Sequence, residues 1–270
     1  LKGERMIEVE EFNSLKDKNV NNRWSEYRDG SDKYVLKEVM IDSLQDRRRV
    51  FFIKDDKKQR DYEMLQASRG ITIEEEHVNI DVLVSDIEKN QLKVIESDLV
   101  RISELEKLLE SHGFKVNTLA EMGFRIPRLL NHYKSNGVEA VKGYDVVNLN
   151  VLVGQKMGFD VKNKDFNDVE SLDLSDLMDV DVLLSYHVME HLSRPDLTIE
   201  KIYDNMKKGA LMHVEVPIEP GGPMLRYGHL FPFHKGDMKR FLESADFEVI
   251  SFSEETHPGG PAIERYLVKK

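Results

Sequence analysis

From Ile102 onward the apolar positions fall into two alternating periods. In "ISELEKLLESH" (102–112) isoleucine and leucine recur at helical spacing; Ser103 can cap the segment and Gly113 closes it. "IPRLLNHYKSNG" (126–137), "NLNVLVGQKMG" (148–158), "PDLTIEKIYDNMKKG" (195–209) and "KGDMKRFLESAD" (235–246) repeat that pattern. Between and after them lie short runs of strand type: "FKVNTLAE" (114–121), "VEAVKGYD" (138–145), "FDVKNKD" (159–165), "VDVLLSY" (180–186), "ALMHVEVP" (210–217), "FEVISFS" (247–253) and "AIERYLVKK" (262–270). The fourth run is almost purely apolar, as expected for a central strand buried on both faces. Strand and helix alternate with connections of a few residues, which implies right-handed crossovers and a sheet covered by helices on both sides. The last two runs follow one another without a helix, so one strand at that edge is antiparallel. The expectation is an α/β fold: a doubly wound, mostly parallel, seven-stranded, Rossmann-like sheet with one antiparallel edge strand.

The first 95 residues have a different texture, and the chain divides into an accessory region, 1–95, and a main domain, 96–270. Residues 1–33 are highly charged, with a lone tryptophan, Trp24, and predict helix and loop. Tyr34 to Leu44 shows helical spacing, so the accessory region is expected to be smaller and largely helical. Val50 to Ile53 is either a strand or an anchor for the main domain. The triple arginine Arg47 to Arg49 is flanked by acidic residues and reads as a solvated face. The accessory region either caps the active site or mediates homodimerisation.

Charge and composition narrow the function classes. Over 270 residues, 40% hydrophobic, the net charge is −11, which argues against broad nucleic-acid or anionic-membrane binding. No segment is long and apolar enough to span a bilayer, and the first residues lack an apolar signal core. The absence of cysteine excludes disulfides and cysteine-based zinc sites, and fits a reducing, cytoplasmic setting.

In such sheets ligands bind at the carboxyl ends of the strands. The first strand of the main domain ends in Glu121 and Gly123, a tight turn that lets backbone approach a ligand. Asp145 ends the second, where a carboxylate can take two ribose hydroxyls. Asp165 closes the third and Tyr186 the fourth.

This set resembles the class I S-adenosylmethionine-dependent methyltransferases. "YHVMEHLSRP", "NMKKGALMHVEVP" and "GHLFPFHKGDMKRFLESADFEV" follow the family's ordered motifs over roughly residues 100–270. The resemblance implies S-adenosylmethionine as cofactor. Glu121 and the backbone near Gly123 would face its methionine portion, Asp145 the ribose and Asp165 the adenine, with Tyr186 and His187 lining the pocket. The chain departs from the family in the cofactor turn, "EMGFRIPRLL", where Arg125 stands in place of a second glycine. That departure keeps a second function class open: a binding or scaffolding module that has lost the cofactor.

Histidine supplies the candidate chemistry. A methyl-accepting hydroxyl must lose its proton, and an imidazole can take it. His191 is the first candidate; His229, in the glycine- and aromatic-rich "PGGPMLRYGHLFPFH", is the second. His213 reads as a core histidine and His257 as a turn residue. His187, Glu190 and His191 also spell H-x-x-E-H, which on a helix suggests a zinc hydrolase. Here the string follows a buried strand, and Pro195 marks a later helix start. The same segment is similar to that of magnesium-dependent small-RNA 2′-O-methyltransferases: His187, Glu190, His191 and His229 lie at the places of that family's magnesium-holding residues, with His187 where a carboxylate is expected. No metal is assigned, and the expected acceptor is a small molecule, through oxygen, on a sugar or other secondary metabolite.

Overall fold

The computed structural model describes residues 5–6, 34–53, 80–219, 221–222, 228–256 and 261–270. The expectations for Trp24, for His257 and for most of residues 1–33 lie outside these residues.

The described part of the accessory region is not mainly helical. Tyr34 to Leu44 forms strand β2 (Tyr34–Ile41) and one 3-10 turn (Asp42–Leu44), which leads into β3 (Asp46–Ile53). β1 (Arg5–Met6) adds to β2, and all pairing is antiparallel. The reason is burial on both faces of the strand: Tyr34 and Leu36 pack with Phe51 on one face, Val39 and Ile41 enter the main core on the other, and β-branched residues fit a pleated surface better than a helix. Gln45, at φ +53, turns the chain back. The arginine run is not a uniformly solvated face either: Arg48 is buried and pairs with Asp46 and with buried Asp237. Helix α1 (Ile80–Asp86) and a π-turn (Ile87–Gln91) follow.

Helix α2 spans Glu96–Ser111, two turns earlier than expected, so Ser103 lies inside it. The main sheet then runs β4 (Thr118–Met122), α3 (Arg128–Ser135), β5 (Ala140–Asp145), α4 (Asn148–Lys156), β6 (Asp160–Asn163), β7 (Val182–Tyr186), α5 (Pro195–Asn205), β8 (Leu211–Pro217), α6 (Asp237–Ser244), β9 (Glu248–Thr256) and β10 (Ala262–Lys269). Strand order is β6-β5-β4-β7-β8-β10-β9. The antiparallel strand expected at this edge is β10, which slots between β8 and β9.

Alternate strand residues serve opposite faces. Leu119, Val182 and Leu184 pack against α2, α3 and α4 through Ile102, Leu105, Leu130 and Val151. Ala120, Met122 and Leu183 join the other core, with Ile199 and Ile202 of α5 and Phe241 of α6. Val39, Ile41 and Val50 of the hairpin belong to this second core. Strand order reverses between β4 and β7, and the site lies there. No helix of the described residues is long and apolar enough to cross a membrane.

Candidate active site

A cleft of about 300 Å³ opens at the carboxyl ends of β4, β5 and β7. It is lined by every residue that the sequence placed around a cofactor: Glu121, Gly123, Asp145, Asp165, Tyr186 and His187, together with His191. Asp165 reaches it from a loop, because β6 ends at Asn163. Its carboxylate accepts the Asn167 N–H at 2.9 Å, and the Asn167 side chain clasps the His191 carbonyl and the Ser193 N–H. His229 is buried beside His191, ring centroids 5.0 Å apart.

The glycine-poor turn has a packing explanation. Phe124 is buried in the helix-side core against Gly143 and Gly154; a Cβ on Gly143 would stand 2.8 Å from the Phe124 ring. The ring anchors the turn, and Arg125 then takes the left-handed conformation itself, φ +44. Its N–H donates to Asp145 Oδ2 at 2.9 Å, while the Val147 N–H donates to Oδ1 at 2.8 Å. Asp145 is therefore a brace for the turn as well as a lining residue. Burial raises its pKa, and these backbone hydrogen bonds offset only part of that effect. Gly123, at φ +65, is required by its neighbour: a Cβ there would stand 2.6 Å from Val188 Cγ2.

A buried ionic chain backs the cleft. Glu215 of β8, 1% exposed, receives Arg101 of α2, Arg265 of β10 and His187 Nε2, the last at 3.0 Å. Arg101 also reaches Asp98, which receives Arg128 Nε at 2.8 Å. Beside them burial, then the Asp98 charge, pushes the Glu121 carboxyl well above its usual range, and its Oε2 has no partner among the described residues. Asp98, Arg101, Arg128 and Glu215 were not singled out by sequence. Arg101 and Asp98 follow no motif, Arg128 lies within "EMGFRIPRLL" but was given no role there, and Glu215 is one charge inside an apolar strand.

His187 is held at both ring nitrogens, by Glu190 and by Glu215, each at 3.0 Å. Burial opposes its charge, yet these carboxylates raise the imidazole to about 9. Burial would likewise raise Glu190, but His187 holds it down to about 2. With His187 at φ +55 and only a 3-10 turn at Met189–His191, the H-x-x-E-H string is not on a helix. His213 is the core histidine expected: burial and the Arg265 charge lower it to about 3, and Nδ1 meets the Tyr186 hydroxyl at 2.7 Å.

His187 gives a pH test. Its raised pKa stabilises the fold fully below the unfolded value of about 6.5, and the effect is lost as pH rises through about 9. A third of the side chain, 36%, is exposed, which screens the interaction. In His187→Asn, which tolerates a left-handed backbone, we expect wild type to lose about 1–2 kcal/mol relative to the variant between those pH values. Urea titrations across the range check this; parallel curves would remove the imidazolium from the network.

No protein-family model and no curated protein sequence matches the chain. Solved structures do. The [4+2]-cyclase SpnF is 12% identical, with a TM-score of 0.53 over 71% of this chain and 92% of that one. The N-methyltransferase NodS from Bradyrhizobium japonicum WM9, in complex with S-adenosylhomocysteine, is 12% identical, with a TM-score of 0.51 over 78% of this chain and 98% of NodS. The fold is that of the class I methyltransferases. On the methyltransferase fold the cleft occupies the reversal of strand order, where open α/β sheets bind ligands. A cyclase and an N-methyltransferase among the neighbours illustrate that this fold hosts more than one chemistry.

Proposed function

We propose that the protein is an S-adenosylmethionine-dependent methyltransferase that methylates an oxygen of a small molecule, such as a sugar or other secondary metabolite. The observation that carries this is the convergence of Glu121, Asp145 and Tyr186, from three adjacent strand ends, on one cleft with Arg128 and Asp98. The residues fit the cofactor: Glu121 lines the cleft while its buried Oε2 has no partner among the described residues, and Arg128 beside Asp98 offers a cation and an anion to an amino-acid head group. The cofactor would supply an electrophilic methyl group.

The chain's own residues would do the rest. Glu121 and the backbone near Gly123 would face the methionine portion, Asp145, which holds the turn, would take the ribose and Asp165 the adenine, and Tyr186 with His187 would line the pocket. His191 Nδ1 donates to the Gly228 carbonyl at 2.8 Å, so its neutral tautomer carries the lone pair on Nε2, the form a general base needs. His229 stands behind it, its Nδ1 2.6 Å from Glu219. Within the accessory region, 1–95, the hairpin supports this segment: Ser193 Oγ donates to the Phe51 carbonyl at 2.7 Å, and the Phe51 N–H donates to the Leu230 carbonyl. A cytoplasmic setting belongs to the same reading, supported by the absence of cysteine.

The engagement of both Asp145 oxygens by backbone favours a second reading, a scaffold that has kept the fold without the cofactor. Calorimetry with S-adenosylhomocysteine separates the two: methyl transfer requires saturable binding, and none at millimolar ligand would leave the scaffold. Asp145→Ala frees two backbone N–H groups and loosens the turn, so we expect affinity to fall at least about tenfold. Unchanged affinity would remove Asp145 from the site.

A further inference from the structure

We propose that Asn167 is a positioning residue, which carries ligand binding on the Asp165 side of the cleft to the ring of His191. The Asn167 side-chain amide stands in for a strand neighbour. Its Oδ1 accepts the Ser193 N–H at 2.7 Å, and its Nδ2 donates to the His191 carbonyl at 3.1 Å. These backbone groups follow the 3-10 turn Met189–His191 and precede α5 at Pro195, so no helix supplies their partners. The Asn167 N–H in turn donates to the Asp165 carboxylate at 2.9 Å. One residue thus grips a cleft carboxylate on one side and the main chain of His191 on the other, and all three line the cleft.

The surroundings make this link stiff. On one side the Lys164 N–H donates to the Asp145 carbonyl at 3.1 Å and the Asp168 N–H to the Asp165 carbonyl at 3.2 Å. Thr198 Oγ1 donates to the Phe166 carbonyl at 3.0 Å, and the buried Phe166 ring stands edge-on to Tyr144. On the other side buried Ser193 donates its Oγ to the Phe51 carbonyl. Between two anchored segments, Asn167 passes on a displacement of either one, because packed interiors transmit strain.

Asp165 is the input. A ligand amine that donates to its carboxylate draws on the same charge that holds the Asn167 N–H, so the Asn167 main chain senses the ligand. The His191 ring is the output. Its Nδ1 is fixed by the Gly228 carbonyl, so a shift of the His191 main chain swings the ring about that point. A proton acceptor has to stand within hydrogen-bond reach of its target, and a misplacement of about 1 Å can cost about 100-fold in rate. That His191 is the proton acceptor rests on the methyl-transfer reading; the link between Asp165 and His191 does not.

NMR of the full-length protein with ¹⁵N- and ¹³C-labelled histidine tests this, His191→Gln assigning the ring signals. Wild type should show the Nδ1–H tautomer at His191, and saturating S-adenosylhomocysteine should shift its Cε1–H signal. Asn167→Ala should lose the single Nδ1–H signature in the free protein and the shift in the bound one. Asn167→Asp keeps an acceptor for Ser193 but sets an oxygen against the His191 carbonyl, so it isolates the His191 arm and should also lose the shift. His213, buried in the core, should keep its signals in each folded variant; if Asn167→Ala unfolds, both rings change together and Asn167→Asp decides. An unchanged His191 tautomer in folded Asn167→Ala overturns the positioning role, whether or not the cofactor binds. A shift equal in wild type and both variants, or absent from saturated wild type, overturns the coupling. Calorimetry on the same samples separates the two readings: wild type that binds no S-adenosylhomocysteine overturns methyl transfer and the ligand response, and the free-protein comparison still decides the positioning role.

Discussion

Glu215→Gln should cost the fold about 3–5 kcal/mol, the range for breaking a buried ion pair from one side. Glu215 is 1% exposed and joins three elements: Arg101 from α2, Arg265 from β10 and His187 after β7. Arg265 is itself 5% exposed, so its charge has little solvent to fall back on. A glutamine keeps the volume but turns one acceptor into an NH₂ group facing guanidinium donors. By contrast, Glu243→Gln breaks an exposed i,i+4 pair with Lys239 and should cost less than about 0.5 kcal/mol. Urea denaturation of both variants at neutral pH makes the comparison. If Glu215→Gln loses less than about 1 kcal/mol, the three cations are satisfied without it and the ionic chain does not organise this end of the sheet.

The second large effect is expected at the turn. Gly123→Ala should destabilise by about 2–4 kcal/mol, from two separable causes. At φ +65 a Cβ meets the backbone's left-handed penalty, and it stands 2.6 Å from Val188 Cγ2. Val188→Ala removes the second cause but not the first. In a double-mutant cycle, Gly123→Ala should therefore cost about 1–2 kcal/mol in the Val188→Ala background. Strict additivity would mean that Val188 is not what holds this position to glycine. Because Gly123 and Val188 both line the cleft, binding of S-adenosylhomocysteine to the same four proteins reports whether their contact also shapes the pocket.

Much of the main domain was legible because burial imposes periodicity. Strands β4 to β10 and the helices among them follow runs whose apolar spacing matches one or two covered faces, as Leu183 and Leu184 show by entering opposite cores. The hairpin was misread because YVLKEVMI satisfies helical and strand spacing together over eight residues; only pairing with Asp46–Ile53 decides between them. The cleft's lining was legible where residues close strands: Glu121, Asp145 and Tyr186. The charges behind it were not. Arg101 meets Glu215 across 114 positions, and nothing local to either marks the encounter. The turn lay between these cases: its missing glycine was visible, but the reason was not, since Phe124 is anchored by glycines at 143 and 154.

The hairpin also constrains how the protein can assemble. Arg48 finds Asp237 across 189 positions, and Phe51 hydrogen-bonds to Leu230. At roughly 5–20 residues per second, a nascent chain would expose the apolar underside of Val39, Ile41 and Val50 for roughly 10–40 s before those partners were made. Through that interval the hairpin would be a strand pair with nothing to cover it, open to wrong pairing and to chaperone capture. A strand pair made so long before its partners would thus be among the last elements to be secured.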